Sequence, residues 1–240
     1  RFDKEIAIIC VINGDYSRLN KKLKDDRDIL LCALSKMSDY EKQQDEFQKI
    51  IKDKLTDSGL NTLYNADYDF DWSTLTEKDL WKDFYFAFAA CVKDIDAYKF
   101  VDDTLKKNEA FMSLICKTSN KLGTYTAKRL GIKQVIADEF RNNINLARIA
   151  VSTDPINLES FSNEIKSNKQ LALELLNTQH DVLQYLSENL KDDEEIVKMA
   201  LRNDIDQLQY ASENIRSDKS FVLEALKSCN RSGNNFSLEH

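Results

Sequence analysis

From residue 136 onward the chain repeats itself every 25 residues. IADEFRNNINLARIAV begins at Ile136, FSNEIKSNKQLALELL at Phe161, LSENLKDDEEIVKMAL at Leu186 and ASENIRSDKSFVLEAL at Ala211. Four residues into each segment stands an apolar side chain (Phe140, Ile165, Leu190, Ile215), followed by a cation (Arg141, Lys166, Lys191, Arg216). Two further on comes Asn143, Asn168, Asp193 or Asp218, and three after that Leu146, Leu171, Ile196 or Phe221. These columns predict a short helix, a tight turn and a second helix. The Asn/Asp column suits an N-cap that accepts hydrogen bonds from the free amides of the second helix. The cation column falls in the last turn of the first helix, where it meets the negative end of the dipole. Asp218, Phe221, Val222, Ala225 and Leu226 then keep the spacing of an amphipathic helix.

Such a segment cannot stand alone. About six core side chains stabilise by roughly 1.5–3 kcal/mol each, whereas ordering about 25 residues costs roughly 1.5 kcal/mol apiece. Neighbours must supply the missing burial, which predicts an array in which each unit leans on the next.

The pattern continues upstream. VDDTLKKNEAFMSLIC from Val101 carries Leu105, Lys106, Asn108 and Phe111 in the same columns, 35 residues before Ile136, so the KTSNKLGTYTAKRLG region holds an insertion of ten. Asp83 is placed to cap DFYFAFAACVK, LNKKLKDDRDILLCAL from Leu19 fits, and so does DKEIAIICVI from Asp3. Glycine (5) and proline (1) are too scarce for a turn-rich β fold. The expected fold is all-α, an α-solenoid of short helix pairs with a non-repeating helical insert in the N-terminal third. Its expected divisions are divergent repeats over 1–34, the insert over 35–82, tandem repeats over 83–227 and a polar tail over 228–240.

LQYASENIRSDKSFVLEALK (208 to 227) and LQYLSENLKDDEEIVKMAL (183 to 201) resemble an uncharacterised family of short helical repeats, a domain of unknown function whose units read approximately L-x-YAS-x-x-(I/L)-(R/K)-x-D. The likeness is weaker at 158 to 176 and 136 to 151. The family occurs in tandem in bacterial and protist proteins. The resemblance implies helical repeats and protein contacts; it brings no catalytic residue.

Within the insert, Phe47, Ile50, Ile51 and Leu55 predict one helix over about 39 to 55, broken at Ser58-Gly59. Thr76 to Asp79 reads as a capping box opening a long helix through FYFAFAACV. Between them lies NADYDFDWSTLTEKDLW. Asp67, Asp69 and Asp71 alternate like calcium ligands, but Trp72 stands where the loop needs glycine and Lys78 where it needs a bidentate glutamate. No metal site is expected. A solvated acidic loop anchored by aromatics is the default; the second reading is a partner-binding patch of Asp67, Tyr68, Asp69, Phe70, Asp71 and Trp72, since inserts in repeat arrays map to binding faces.

Other chemistry is thin. His180 lies in the polar turn NTQHD and is expected to be exposed, without a second histidine or a cysteine to build a metal or nucleophilic site. No phosphate-loop, dinucleotide or nucleophile-elbow motif occurs, so no cofactor and no catalytic residue is expected. A net charge of −7 without a basic cluster disfavours nucleic acid and anionic membranes; no apolar run is long enough to span a bilayer. Cys10, Cys32, Cys91 and Cys116 sit in apolar runs, which predicts buried thiols in a reducing compartment, the cytoplasm or a host cell reached by a secreted effector. The start at Arg1 and the closing Leu238-Glu239-His240, which looks like a tag remnant, suggest a piece of a longer protein. The function expected is that of a protein-interaction or scaffolding module with a protein or peptide partner. The alternatives are a repeat region of a larger enzyme or bacterial effector, or an enzyme with a carboxylate site in the N-terminal part.

Overall fold

The structure, a computed structural model, describes residues 4–52, 54–66, 70–118 and 135–230. The cap expected at Asp3 and nearly all of the ten-residue insertion lie outside the described residues. Regular structure is helical throughout, with no strand among the described residues. The chain divides into two compact units, Arg1–Ala137 and Asp138–His240.

The first unit contains α1 (Lys4–Ile12), α2 (Lys21–Lys24), α3 (Arg27–Leu34), α4 (Asp39–Lys42), α5 (Asp45–Ile51), α6 (Ser58–Asn65), α7 (Phe84–Lys93), α8 (Asp103–Lys106) and α9 (Glu109–Lys117). Single 3-10 segments lie at Tyr16–Arg18, Trp72–Thr74, Lys78–Lys82 and Ile95–Phe100. Helices α3 and α7 pack together at the centre, with α1 and α6 against α3 and α9 against α7. Their sequences dictate this place: Ile29 to Leu34 and Phe86 to Val92 are buried around the whole helix, and a helix apolar on all sides belongs in the middle.

Three expectations need correction here. The helix predicted over 39 to 55 is two, α4 and α5, because the chain turns at Gln43 and Gln44. The turn is fastened by Gln48, whose Nε2 donates to the Lys42 carbonyl, and Lys42 reaches inward to donate from Nζ to the Tyr64 carbonyl at 2.9 Å. Ser58-Gly59 opens α6 instead of breaking a helix, with Asp57 accepting from the Leu60 amide at 3.0 Å as its cap. Gly59 is needed for closeness: a Cβ there would stand 3.2 Å from Arg27 Nη2, Asp57 Oδ1 and Phe86 Cδ2. Finally, Thr76 to Asp79 starts only the 3-10 segment; the chain is extended at Asp83 (φ −73°, ψ 116°), which caps α7 through the Tyr85 and Phe86 amides.

The second unit contains α10 (Ile144–Thr153), α11 (Asn163–Lys166), α12 (Lys169–Leu176), α13 (Glu188–Lys191), α14 (Glu194–Asn203), α15 (Glu213–Ser217) and α16 (Lys219–Asn230). The cap column behaves as its chemistry requires: Asn143, Asn168, Asp193 and Asp218 accept from the amides of Leu146, Leu171, Ile196 and Phe221 at 2.9–3.2 Å. In the first unit, Asp26, Asp83 and Asn108 do the same for Ile29, Phe86 and Phe111. The long helices α10, α12, α14 and α16 pack in succession. Ile165, Leu190 and Ile215 are each 6 % exposed, whereas Phe140 in the same column is half-buried.

Helices α10, α12 and α14 each lead into a 3-10 turn, an element the columns did not reveal: Pro155–Ser160, Leu183–Tyr185 and Ile205–Tyr210. Asp154 and Asp204 cap the two longer turns through the amides of Ile156 and Asp206. Position 179 is Gln, and there the turn shortens to Leu183–Tyr185. The first short helix, expected from Ile136, is only the 3-10 turn Asp138–Phe140, while the last long helix runs to Asn230, past the expected end near Lys227.

Between short helices runs a recurring backbone bond. The amides of Ser162, Ser187 and Ser212 donate to the carbonyls of Arg141, Lys166 and Lys191 at 2.9–3.1 Å, and within the first unit Asp102 donates to Trp81 at 3.1 Å. Donor and acceptor stand 21 residues apart every time. None of the described helices is long and apolar enough to cross a membrane.

Candidate functional site

Of the predicted acidic-aromatic patch, Asp67, Tyr68 and Asp69 lie outside the described residues. Trp72 is 4 % exposed and donates from Nε1 to Asp94 Oδ2 at 3.0 Å. Its ring meets Phe70 at 4.8 Å and Trp81 at 5.9 Å, and Trp81 meets Phe86 at 5.4 Å and Phe100 at 5.5 Å. This relay ties the loop to α7 and the Ile95–Phe100 turn. Trp72 therefore anchors; Asp71 is exposed, Phe70 is half-buried and Phe100 is 38 % exposed. Asp71 serves its own turn: the Ser73 hydroxyl and amide donate to its carboxylate, which holds it below the usual carboxylate range.

A second charged cluster, which sequence reasoning missed, joins helix starts in the first unit. Asp26, Asp57 and Asp83 are the caps of α3, α6 and α7. Arg27 donates from Nε to Asp57 Oδ2 at 2.7 Å and from Nη1 to Asp83 Oδ2 at 2.9 Å, and Lys4 pairs with Asp26 and Asp28. Burial pushes the Asp57 carboxyl up, but the Arg27 and Leu60 hydrogen bonds outweigh it and leave it lowered. With Asp26, Asp57 and Asp83 each committed to a helix amide and to a cation, this arrangement fastens helices. No group of three or more His, Cys, Asp or Glu among the described residues could hold a metal. Cys32, Cys91 and Cys116 are buried; burial raises all three thiols, that of Cys116 to about 12, so they are poor nucleophiles. Cys10, expected buried, is only half-buried. His180 is exposed.

In the second unit the two sides of the helix row differ electrostatically. On the long helices, carboxylates are matched: Arg148 with Glu174 at 2.7 Å, Lys169 with Asp193 and Glu195 at 2.7 and 2.9 Å, Lys198 with Glu224 at 3.3 Å. Each of these pairs links one long helix to the next or to its cap. A shallow surface pocket on α14 is lined by Glu194, Glu195, Lys198, Met199 and Arg202. The 3-10 turns also pack on one another in order. Along them lie Asp154, Glu159, Asp181, Asp204 and Asp206 with Tyr185 and Tyr210. Burial raises the Tyr185 phenol, and Asp154, Glu159, Asp181 and Tyr210 raise it further, so the surrounding field is negative. Beneath them Gln207, 2 % exposed, donates from Nε2 to Asp181 Oδ1 at 3.0 Å, while its Oε1 has no hydrogen-bond partner among the described residues.

A family model described as a domain of unknown function (DUF4116) matches residues 168–211 and, overlapping, 193–239. The two matches begin at Asn168 and Asp193, the caps of α12 and α14. Comparison with curated proteins and with solved structures returned no match. Over its C-terminal part, from α12 onward, the chain is similar to this domain of unknown function.

Proposed function

We propose that the chain is a protein-interaction or scaffolding module, an α-solenoid of 25-residue helical repeats whose product is an extended surface for a protein or peptide partner. The observation that carries this reading is the backbone bond from Ser162, Ser187 and Ser212 to the carbonyl 21 residues earlier. A contact repeated in that way joins each unit to the one before and lets length grow without a new core. The paired matches to one domain, offset by one period, support the same reading. Buried, unbridged Cys32, Cys91 and Cys116 suit a reducing compartment. The acidic-aromatic loop, through Phe70, Asp71 and the neighbouring Asp67, Tyr68 and Asp69, with Trp72 as its anchor, is a second contact surface in this proposal.

The test is cross-linking of the full chain to partners in lysate of its source cells, with the linked peptides mapped by mass spectrometry. A saturable partner linked to several successive units is the expected result. Linkage scattered over both units, and independent of chain concentration, overturns it.

A further inference from the structure

The matched charges on the long helices leave an imbalance on the turn edge. Among the described residues, no lysine or arginine pairs with Asp181, Asp204 or Asp206. Two cations at the ends of the short helices have other work: Arg141 Nη1 and Arg216 Nη1 reach the backbone carbonyls of Ser160 and Gln209, each at 3.5 Å. Negative charge collected on one edge, with two tyrosine rings among it, attracts a cation both by Coulomb force and through the ring faces. The Gln207 amide is an independent sign. Equivalent places in the other turns hold Val182, fully buried, and Asn157, whose Nδ2 is spent on the Ala150 carbonyl at 2.9 Å. Gln207 reaches across to a neighbouring turn, and its carbonyl oxygen, unpartnered among the described residues, lies within one amide group of the Asp181 carboxylate. A buried carbonyl without a donor is a cost that an incoming donor removes.

We propose that this edge binds a lysine or arginine side chain from a basic, extended segment of the partner, seated on Asp181 beside Tyr185 and Gln207. The proposal rests on the interaction-module reading and names the chemistry of its partner. An ammonium or guanidinium placed there pairs with the Asp181 carboxylate and brings a second N–H to the Gln207 oxygen.

Fluorescence anisotropy of the full chain with labelled octalysine and octaarginine, and with octaglutamate as control, tests this at about 0.1 M salt, where charges beyond about 10 Å are screened. Asp181→Asn should weaken the basic probes about tenfold, the loss of one charge-assisted hydrogen bond, whereas Glu139→Gln, which removes an exposed carboxylate off this edge, should not. Gln207→Leu should also weaken them while its Tm holds or rises, because Val182 shows that the place accepts an aliphatic side chain. Equal effects of Asp181→Asn and Glu139→Gln overturn the site, as does wild-type binding by Gln207→Leu. If cross-linking finds a saturable partner and Asp181→Asn retains it unchanged, this edge is wrong and the interaction-module reading stands.

Discussion

Deleting residues 168–192 removes one period from within the Asp138–His240 unit and joins Ser167 to Asp193. The junction exchanges one cap for another, since Asn168 and Asp193 each accept from the amide three residues on. Downstream contacts find equivalents: the Lys166 carbonyl, which takes the Ser187 amide, is offered the Ser212 amide, and α10 meets α14 in place of α12. Nameable losses are the Arg148–Glu174 pair, the Lys169 pairs with Asp193 and Glu195, and the Gln207–Asp181 bond. Because exposed ion pairs contribute little, most of the change comes from shortening. Removing about a quarter of the unit should lower the urea m-value by about a quarter, since m follows the surface exposed on unfolding. Stability should fall by a similar share, about 1–4 kcal/mol for a domain of ordinary stability. Urea melts of the isolated unit and the full chain, followed by circular dichroism, give both quantities. A control that deletes only 168–180 throws every cap and buried column out of register and should not fold. If the two deletions behave alike, register between units does not hold this structure together, and the repeat argument fails.

Two further variants probe single residues. Asp193→Ala should cost about 1 kcal/mol through the lost cap, a fall of about 4–8 °C in the melting of a domain of this size, while Asp193→Asn should keep most of it, as Asn143 and Asn168 cap equivalent helices. Burial raises the Asp193 carboxyl, but hydrogen bonds from Lys169 and the Ile196 and Glu195 amides more than reverse this and leave it lowered. Its contribution is thus present above the unfolded carboxylate range and lost as pH falls through the folded value; melts below about pH 4 should narrow the gap between wild type and Asp193→Asn. Trp72→Ala should cost about 3–5 kcal/mol, and Trp72→Phe about 1–3 kcal/mol for leaving Asp94 Oδ2 without its donor; a Trp72→Ala protein that melts like wild type would contradict the anchoring role.

What could be read from the chain alone is what acts over short distances along it. Asn168 or Asp193 bonds to an amide three residues away, so its role is written in the local sequence. The helical class follows from the same local grammar, together with the shortage of glycine and proline. Asp57-Ser58-Gly59-Leu60 carries the same local cap signal, although Gly59 in that run also reads as a breaker. Folding in three dimensions decided the rest. Whether Trp72 anchors its loop or faces a partner depends on Asp94, 22 residues away, which accepts its indole hydrogen. Arg27 joins Asp57 and Asp83 from 30 and 56 residues off, and Gly59 is required by Phe86, which no local pattern foretells. The unequal charge of the two sides of the Asp138–His240 unit likewise arises only once successive turns are stacked. Sequence specified each helix and its cap because those bonds close within one turn of chain; tertiary structure chose which polar groups became partners and which were left facing outward, because that depends on what the next element brings.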